Sequence, residues 1–129
     1  MEYGSIVWDP SSSCGRDQLE RVQRKLFQKY AAFILRIDHR PHDYNPILIK
    51  LGLSSLVDRR KYANLKFLRL LIDGFIDSPV LLSMVNFKVP CSFVRQIYPF
   101  AIPKCNTNYF ENRPILRMMR MANNDPSFL

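Results

Sequence analysis

LGLSSLVDRRKYANLKFLRLLIDGFIDSPVLLSMVNFKVP, residues Leu51 to Pro90, is one amphipathic run with punctuation at both ends. Gly52 can take the left-handed conformation that closes a preceding helix. Ser55 and Asp58 have capping-box spacing and open a helix expected from about Leu56 to Asp73. Asp58 lies at the end of that helix where the macrodipole favours an acid. From Leu65 to Ile72 only Lys66 and Arg69 interrupt the apolar residues, which predicts a helix buried on more than one side. Gly74 is its C-cap candidate. Ser78-Pro79 restarts a short helix to about Met84. Asn86 to Pro90 reads as extended, because a residue before proline avoids the helical region.

Working towards the N-terminus, Asn45-Pro46 reads as N-cap and N1 of a short helix ending at Leu51. His39-Arg40-Pro41-His42 is a break. Asp17 and Glu20 have capping-box spacing and predict the start of the first long helix near Asp17. Leu19, Val22, Leu26, Phe27, Tyr30, Phe33 and Ile34 then share one face, at about 100° per residue. Arg21, Arg24, Lys25, Lys29 and Arg36 fall on the other. Ser11 to Gly15 reads as a loop. The Tyr3–Trp8 patch is short enough for a strand or the last turns of a helix, and reads as a remnant of an upstream element.

Towards the C-terminus, the chain from Cys91 to Asn108 carries Pro99 and Pro103 and shows no helical period. It predicts an extended loop, with a strand around Ser92 to Phe100. A last helix, Pro114 to Ala122, carries Ile115, Met118, Met119 and Met121 together with Arg117 and Arg120. The methionines suggest an adaptable packing surface. The expected fold is mainly α: a small helical domain with two long helices, about three short helices and an extended C-terminal segment. The expected organisation is a single partial domain: an upstream remnant (1–15), a helical core (16–90), an extended loop (91–113) and a terminal helix (114–122).

At 129 residues the chain is one domain's worth. A hydrophobic share of 47% argues against wholesale disorder. The net charge of +8 favours polyanionic partners, with nucleic acid before anionic membrane. Cys14, Cys91 and Cys105 are widely spaced with no C-x-x-C, which fits free thiols in a reducing compartment. The first residues resemble no signal peptide, and no apolar run approaches the length of a membrane span. The expected location is intracellular, in cytoplasm or nucleus.

Polymerase chemistry needs carboxylates converging on divalent metal. The chain contains no Asp-Asp pair, and Asp73 and Asp77 read as cap and turn residues across Gly74. His39 and His42 have no cysteine near them and read as a loop pair rather than a metal site. No Ser-His-Asp or Cys-His arrangement is suggested, and the four glycines are isolated rather than phosphate-binding. No catalytic residue, cofactor or metal is therefore expected in this chain. What remains is cationic: Arg21, Arg24, Lys25 and Lys29 over about two helical turns, Arg59-Arg60-Lys61, and Arg117 with Arg120. The first and third sets are candidates for nucleic-acid backbone contacts of low sequence preference. Arg59 and Arg60 stand close enough to Asp58 to pair with it, so the second set reads as structural. Of the aromatics, Phe27, Tyr30, Phe33 and Phe67 read as core, while Trp8, Tyr98, Phe100, Tyr109 and Phe110 fall in expected loops.

The order of motifs resembles the post-palm, thumb-side region of Jockey-like non-LTR retrotransposon reverse transcriptases. Glu2 to Pro10 (E-Y-G-S-x-V-W-x-P) and Leu19 to Phe27 (L-E-R-V-Q-R-K-L-F) are similar to that family's segments beyond the palm. Leu51 to Pro90 supplies L-G-L-x-S-L-x-D-R-R, G-x-I-D-x-P-x-L-L-S and N-F-x-V-P. Thr107 to Tyr109, then Asn112 to Met118, resemble its closing T-N-Y and N-x-P-I-x-R-M. Departures stand at Lys104-Cys105-Asn106 and at Phe110-Glu111, and Met1 falls inside a longer family element, as in a truncated copy. The resemblance implies a parent RNA-directed DNA polymerase whose magnesium would sit in the missing palm. This chain would support a template–primer RNA/DNA duplex without catalysis. The alternatives are a non-catalytic helical module for protein interaction, or a relic with no selected function. Loss of the polymerase core, its natural partner, would bare apolar surface and favour self-association.

Overall fold

The computed structural model describes residues 4–10, 12–30, 36, 45–89 and 98–128. The expected mainly α fold is present. Among the described residues there are seven helices: α1 (Ser5–Trp8), α2 (Ser13–Tyr30), α3 (Asn45–Lys50), α4 (Leu56–Ile72), α5 (Pro79–Ser83), α6 (Asn108–Glu111) and α7 (Pro114–Asn123). α2 and α4 are the two long ones. The chain forms two compact units, Asp9–Arg60 and Met1–Trp8 with Lys61–Leu129.

The punctuation of Leu51 to Pro90 acts as its chemistry dictates. Gly52 has φ 62°. It donates to the Ile49 carbonyl (3.0 Å), while the Leu53 amide donates to Leu48 (2.9 Å), so α3 ends in a Schellman motif. At the start of α4 the Asp58 amide donates to the Ser55 hydroxyl (3.1 Å), and that hydroxyl donates to the Asp58 carboxylate (2.6 Å). Gly74 at φ 78° reverses the chain, and the Ile76 amide returns to the Leu70 carbonyl (3.2 Å). Ser55→Ala removes the acceptor that α4's first turn relies on. It is expected to cost about 1 kcal/mol by urea denaturation; an unchanged midpoint and slope would show that the cap adds nothing.

The larger unit is built around α4 and α7. Leu68 and Leu71 of α4 and Ile115, Leu116, Met118, Met119 and Ala122 of α7 are buried together with Val85, Phe100 and Phe128. The expected burial of the Leu65–Ile72 run on more than one side is present: Leu65, Phe67, Leu70 and Ile72 are partly buried beside Leu68 and Leu71, and only Lys66 and Arg69 are exposed. Phe87 and Phe100 form an isolated antiparallel bridge. The Lys88 amide donates to Pro99 (2.9 Å) and the Ala101 amide to Asn86 (2.8 Å). Asn123 completes the pairing from α7: its side-chain carbonyl accepts from the Phe100 amide (3.1 Å) and its NH2 donates to the Phe100 carbonyl (3.0 Å). α1 joins the unit through Ile6, which packs against the core. Its carbonyl accepts from Arg117 Nη2 at 2.7 Å. The Tyr3–Trp8 patch therefore contains a helical turn.

Three boundaries differ from the sequence reading. α2 begins at Ser13, four residues before Asp17, because the Ser12 hydroxyl accepts from the Gly15 amide (3.2 Å) and caps it there. Gly15 is helical, and a Cβ on it would stand 2.9 Å from Pro10 Cβ, which accounts for glycine in a first turn. Within the stretch read as loop, Thr107 caps α6 by accepting from the Phe110 amide (3.3 Å). Arg36 has φ 43°, outside any helix, and the expected strand at Ser92 has residues 91–97 outside the described set.

The Asp9–Arg60 unit has a smaller core. Phe27 of α2 and Ile47 of α3 are buried together, with Leu48 and Leu51 packed against them. Gln23, one turn before Phe27, is also buried. The buried line of α2 therefore runs through Leu19, Gln23 and Phe27, at i, i+4 and i+8. Val22 and Leu26 lie about 100° off that line. They are 47% and 65% exposed, contrary to the expected apolar face. Phe33 and Ile34, expected on the same face, lie outside the described residues.

Candidate nucleic-acid interface

The C-terminal half of α2, Arg21 to Tyr30, carries four cations and no acid. Arg21, Arg24, Lys25 and Lys29 are all exposed. On a helical wheel they occupy an arc of about 140° opposite Gln23 and Phe27. None of the four makes an ion pair among the described residues. Four long cationic side chains fanned over two turns present a row of N–H donors to solvent. Such a row can follow successive phosphates of a nucleic-acid backbone. Lys29 in the last turn also opposes the helix dipole favourably, which is the structural share of its role.

The cations of the other two sets make contacts within the fold. Arg60 is buried, and its Nε lies 3.4 Å from Asp9 Oδ1 rather than serving Asp58, whose carboxylate is taken by Ser55. Lys61 Nζ lies 3.2 Å from Asp125. The hydroxyl and amide of Ser127 hold the Asp125 carboxyl below its ordinary value, and Lys61 adds to the effect. Arg117 donates to the Ile6 carbonyl, and Arg120 Nη2 lies 3.2 Å from Glu111 Oε1. Arg117 and Arg120 belong to the larger unit and have protein partners. The α2 arc is thus a surface of its own.

Asp73 lies 3.9 Å from Arg69, and among the described residues no three His, Cys, Asp or Glu side chains gather as metal ligands. His39 and His42 lie outside the described residues. Cys14 and Cys105 are free thiols. Of the aromatics expected in loops, Phe100 is buried beside Phe87 and Phe128, Trp8 stands in α1, and Tyr109 and Phe110 stand in α6. Tyr109 is 83% exposed. One arrangement escaped the sequence reading: Arg113 stacks over the Phe110 ring at 4.1 Å. The i, i+3 spacing of aromatic and arginine across a helix end is the signal that could have found it. No helix among the described residues is long and apolar enough to cross a membrane.

Comparison with family models, with curated proteins and with solved structures returns no match.

Proposed function

We propose that this chain derives from the post-palm, thumb-side region of a non-LTR retrotransposon reverse transcriptase and acts as a non-catalytic duplex-binding element, with α2 as its binding face. The observation that carries this reading is the arc of Arg21, Arg24, Lys25 and Lys29, exposed and without ion pairs among the described residues. The net charge of +8 supports the same class of partner. The motif order from Glu2 to Met118 supports the origin. With no Asp-Asp pair in the sequence, polymerisation is assigned to the absent palm and its magnesium. An element of this kind works in the cytoplasm or nucleus.

The test is binding of the chain to an RNA/DNA hybrid duplex across a salt series. Each phosphate contact contributes about 0.9 to the slope of log affinity against log salt on a B-form duplex. Arg21→Ala/Lys25→Ala/Lys29→Ala is expected to lower that slope by about 2 to 3 units. Alanine favours helix, so circular dichroism should show α2 intact. Undetectable binding at low salt, or an unchanged slope in the triple variant, removes the α2 face from the proposal.

A further inference from the structure

The larger unit contains a concave apolar cleft of about 630 Å³. Its lining includes Val7, Phe67, Leu81, Met84 and Phe110, with Arg113 the one charged residue. The volume falls within the roughly 300–1,000 Å³ typical of small-molecule sites. Arg113 makes no ion pair among the described residues. Its guanidinium carbon stands 4.1 Å from the Phe110 ring centroid, so the stacked face is fixed and the N–H edge remains available.

We propose that this cleft binds a small amphipathic carboxylate, its aliphatic tail among Val7, Phe67, Leu81 and Met84 and its head on Arg113. The charge sets the sign of the head group: a lone cation on an otherwise apolar, acid-free lining attracts an anion and gives no purchase to an amine. One guanidinium edge pairs with two oxygens of one head group, and the cleft's single positive charge balances a carboxylate's single negative one rather than the nearly two of a phosphate monoester. Arg113 is also the N-cap of α7, whose first turn carries no acid, so the dipole acts in the same direction. Shape sets the tail, since a concave apolar wall gains from burying methylenes. This site shares no residue with the α2 arc and does not depend on it.

The experiment is calorimetric titration of the full chain with decanoate below its aggregation concentration, with decanol as the uncharged control. Saturable one-to-one binding of decanoate is expected, with decanol weaker by about tenfold. Arg113→Gln should weaken decanoate by a similar factor and leave decanol unchanged. Val7→Trp should weaken both by placing an indole in the space the tail would occupy; Val7 is 74% exposed, so the core tolerates the change. The proposal is overturned if decanoate fails to saturate, if decanol binds as well as decanoate, or if either variant binds decanoate like the parent. It is equally overturned if decanoate does not bind and size exclusion shows a dimer that Val7→Trp dissociates, which would give the cleft to a second copy.

Discussion

Replacing Leu68 by alanine is expected to cost about 2–5 kcal/mol of unfolding free energy. Leu68 has no exposed surface and belongs to the cluster that α4 and α7 build with Phe100 and Phe128. The cost has two parts: the transfer free energy of the removed carbons, and the dispersion attraction that atoms lining the void no longer receive. Met118 and Met119 of α7 are also fully buried in that cluster, and their flexible side chains can move into part of the space. That places the expected value in the lower half of the range. Lys66→Ala on the same helix is exposed and serves as the control, with an expected change within about 0.5 kcal/mol. Guanidinium denaturation of both variants checks the pair. Equal effects would mean that α4 does not bury the face described.

The second large effect is expected at Asp9. Arg60 is only 2% exposed, its Nε lies 3.4 Å from the Asp9 carboxylate, and its buried Nη1 and Nη2 have no hydrogen bonds among the described residues. An arginine cannot shed its proton to escape this situation. Asp9→Ala is therefore expected to cost about 3–5 kcal/mol, most of it from an uncompensated buried charge. Arg60→Met in the Asp9→Ala background removes that charge while keeping most of the volume, and is expected to recover most of the loss. Denaturation of parent, single and double variants gives the answer. If Asp9→Ala alone is neutral, Arg60 reaches water or another anion and the pair is dispensable.

What the sequence made legible was local. Gly52, Ser55 with Asp58, Gly74 and Pro79 each act on backbone groups within a few residues, and each does what its chemistry requires. What it concealed was tertiary. The Ser12 cap competes with the Asp17–Glu20 spacing and prevails because Gly15 lets the first turn close over Pro10. The face of α2 is chosen by Ile47, not by the count of apolar residues, so Gln23 is buried while Leu26 is exposed. Spacing alone pairs Arg60 with its neighbour Asp58, because Asp9 is about fifty residues away along the chain, beyond any spacing rule. The cationic arc of α2 was legible in full, since exposure of four charges follows from period alone. The Arg113–Phe110 stack was not, because it depends on α6, a turn that no periodicity announces.

The bond from Arg117 to the Ile6 carbonyl joins residues 111 positions apart. Its consequence lies in the order of events. Asp9–Arg60 holds a small core of its own, Phe27 with Ile47, and both residues are made before α7. The turn from Ser5 to Trp8 is made earlier still, yet its partner on α7 is made after both. Between those moments Ile6 lacks the α7 side of its core, and the loop that must close spans 111 positions. Synthesis thus supplies every residue of Asp9–Arg60 before it supplies α7, on which the core of the larger unit depends. The first helix among the described residues is secured only once α7 is in place.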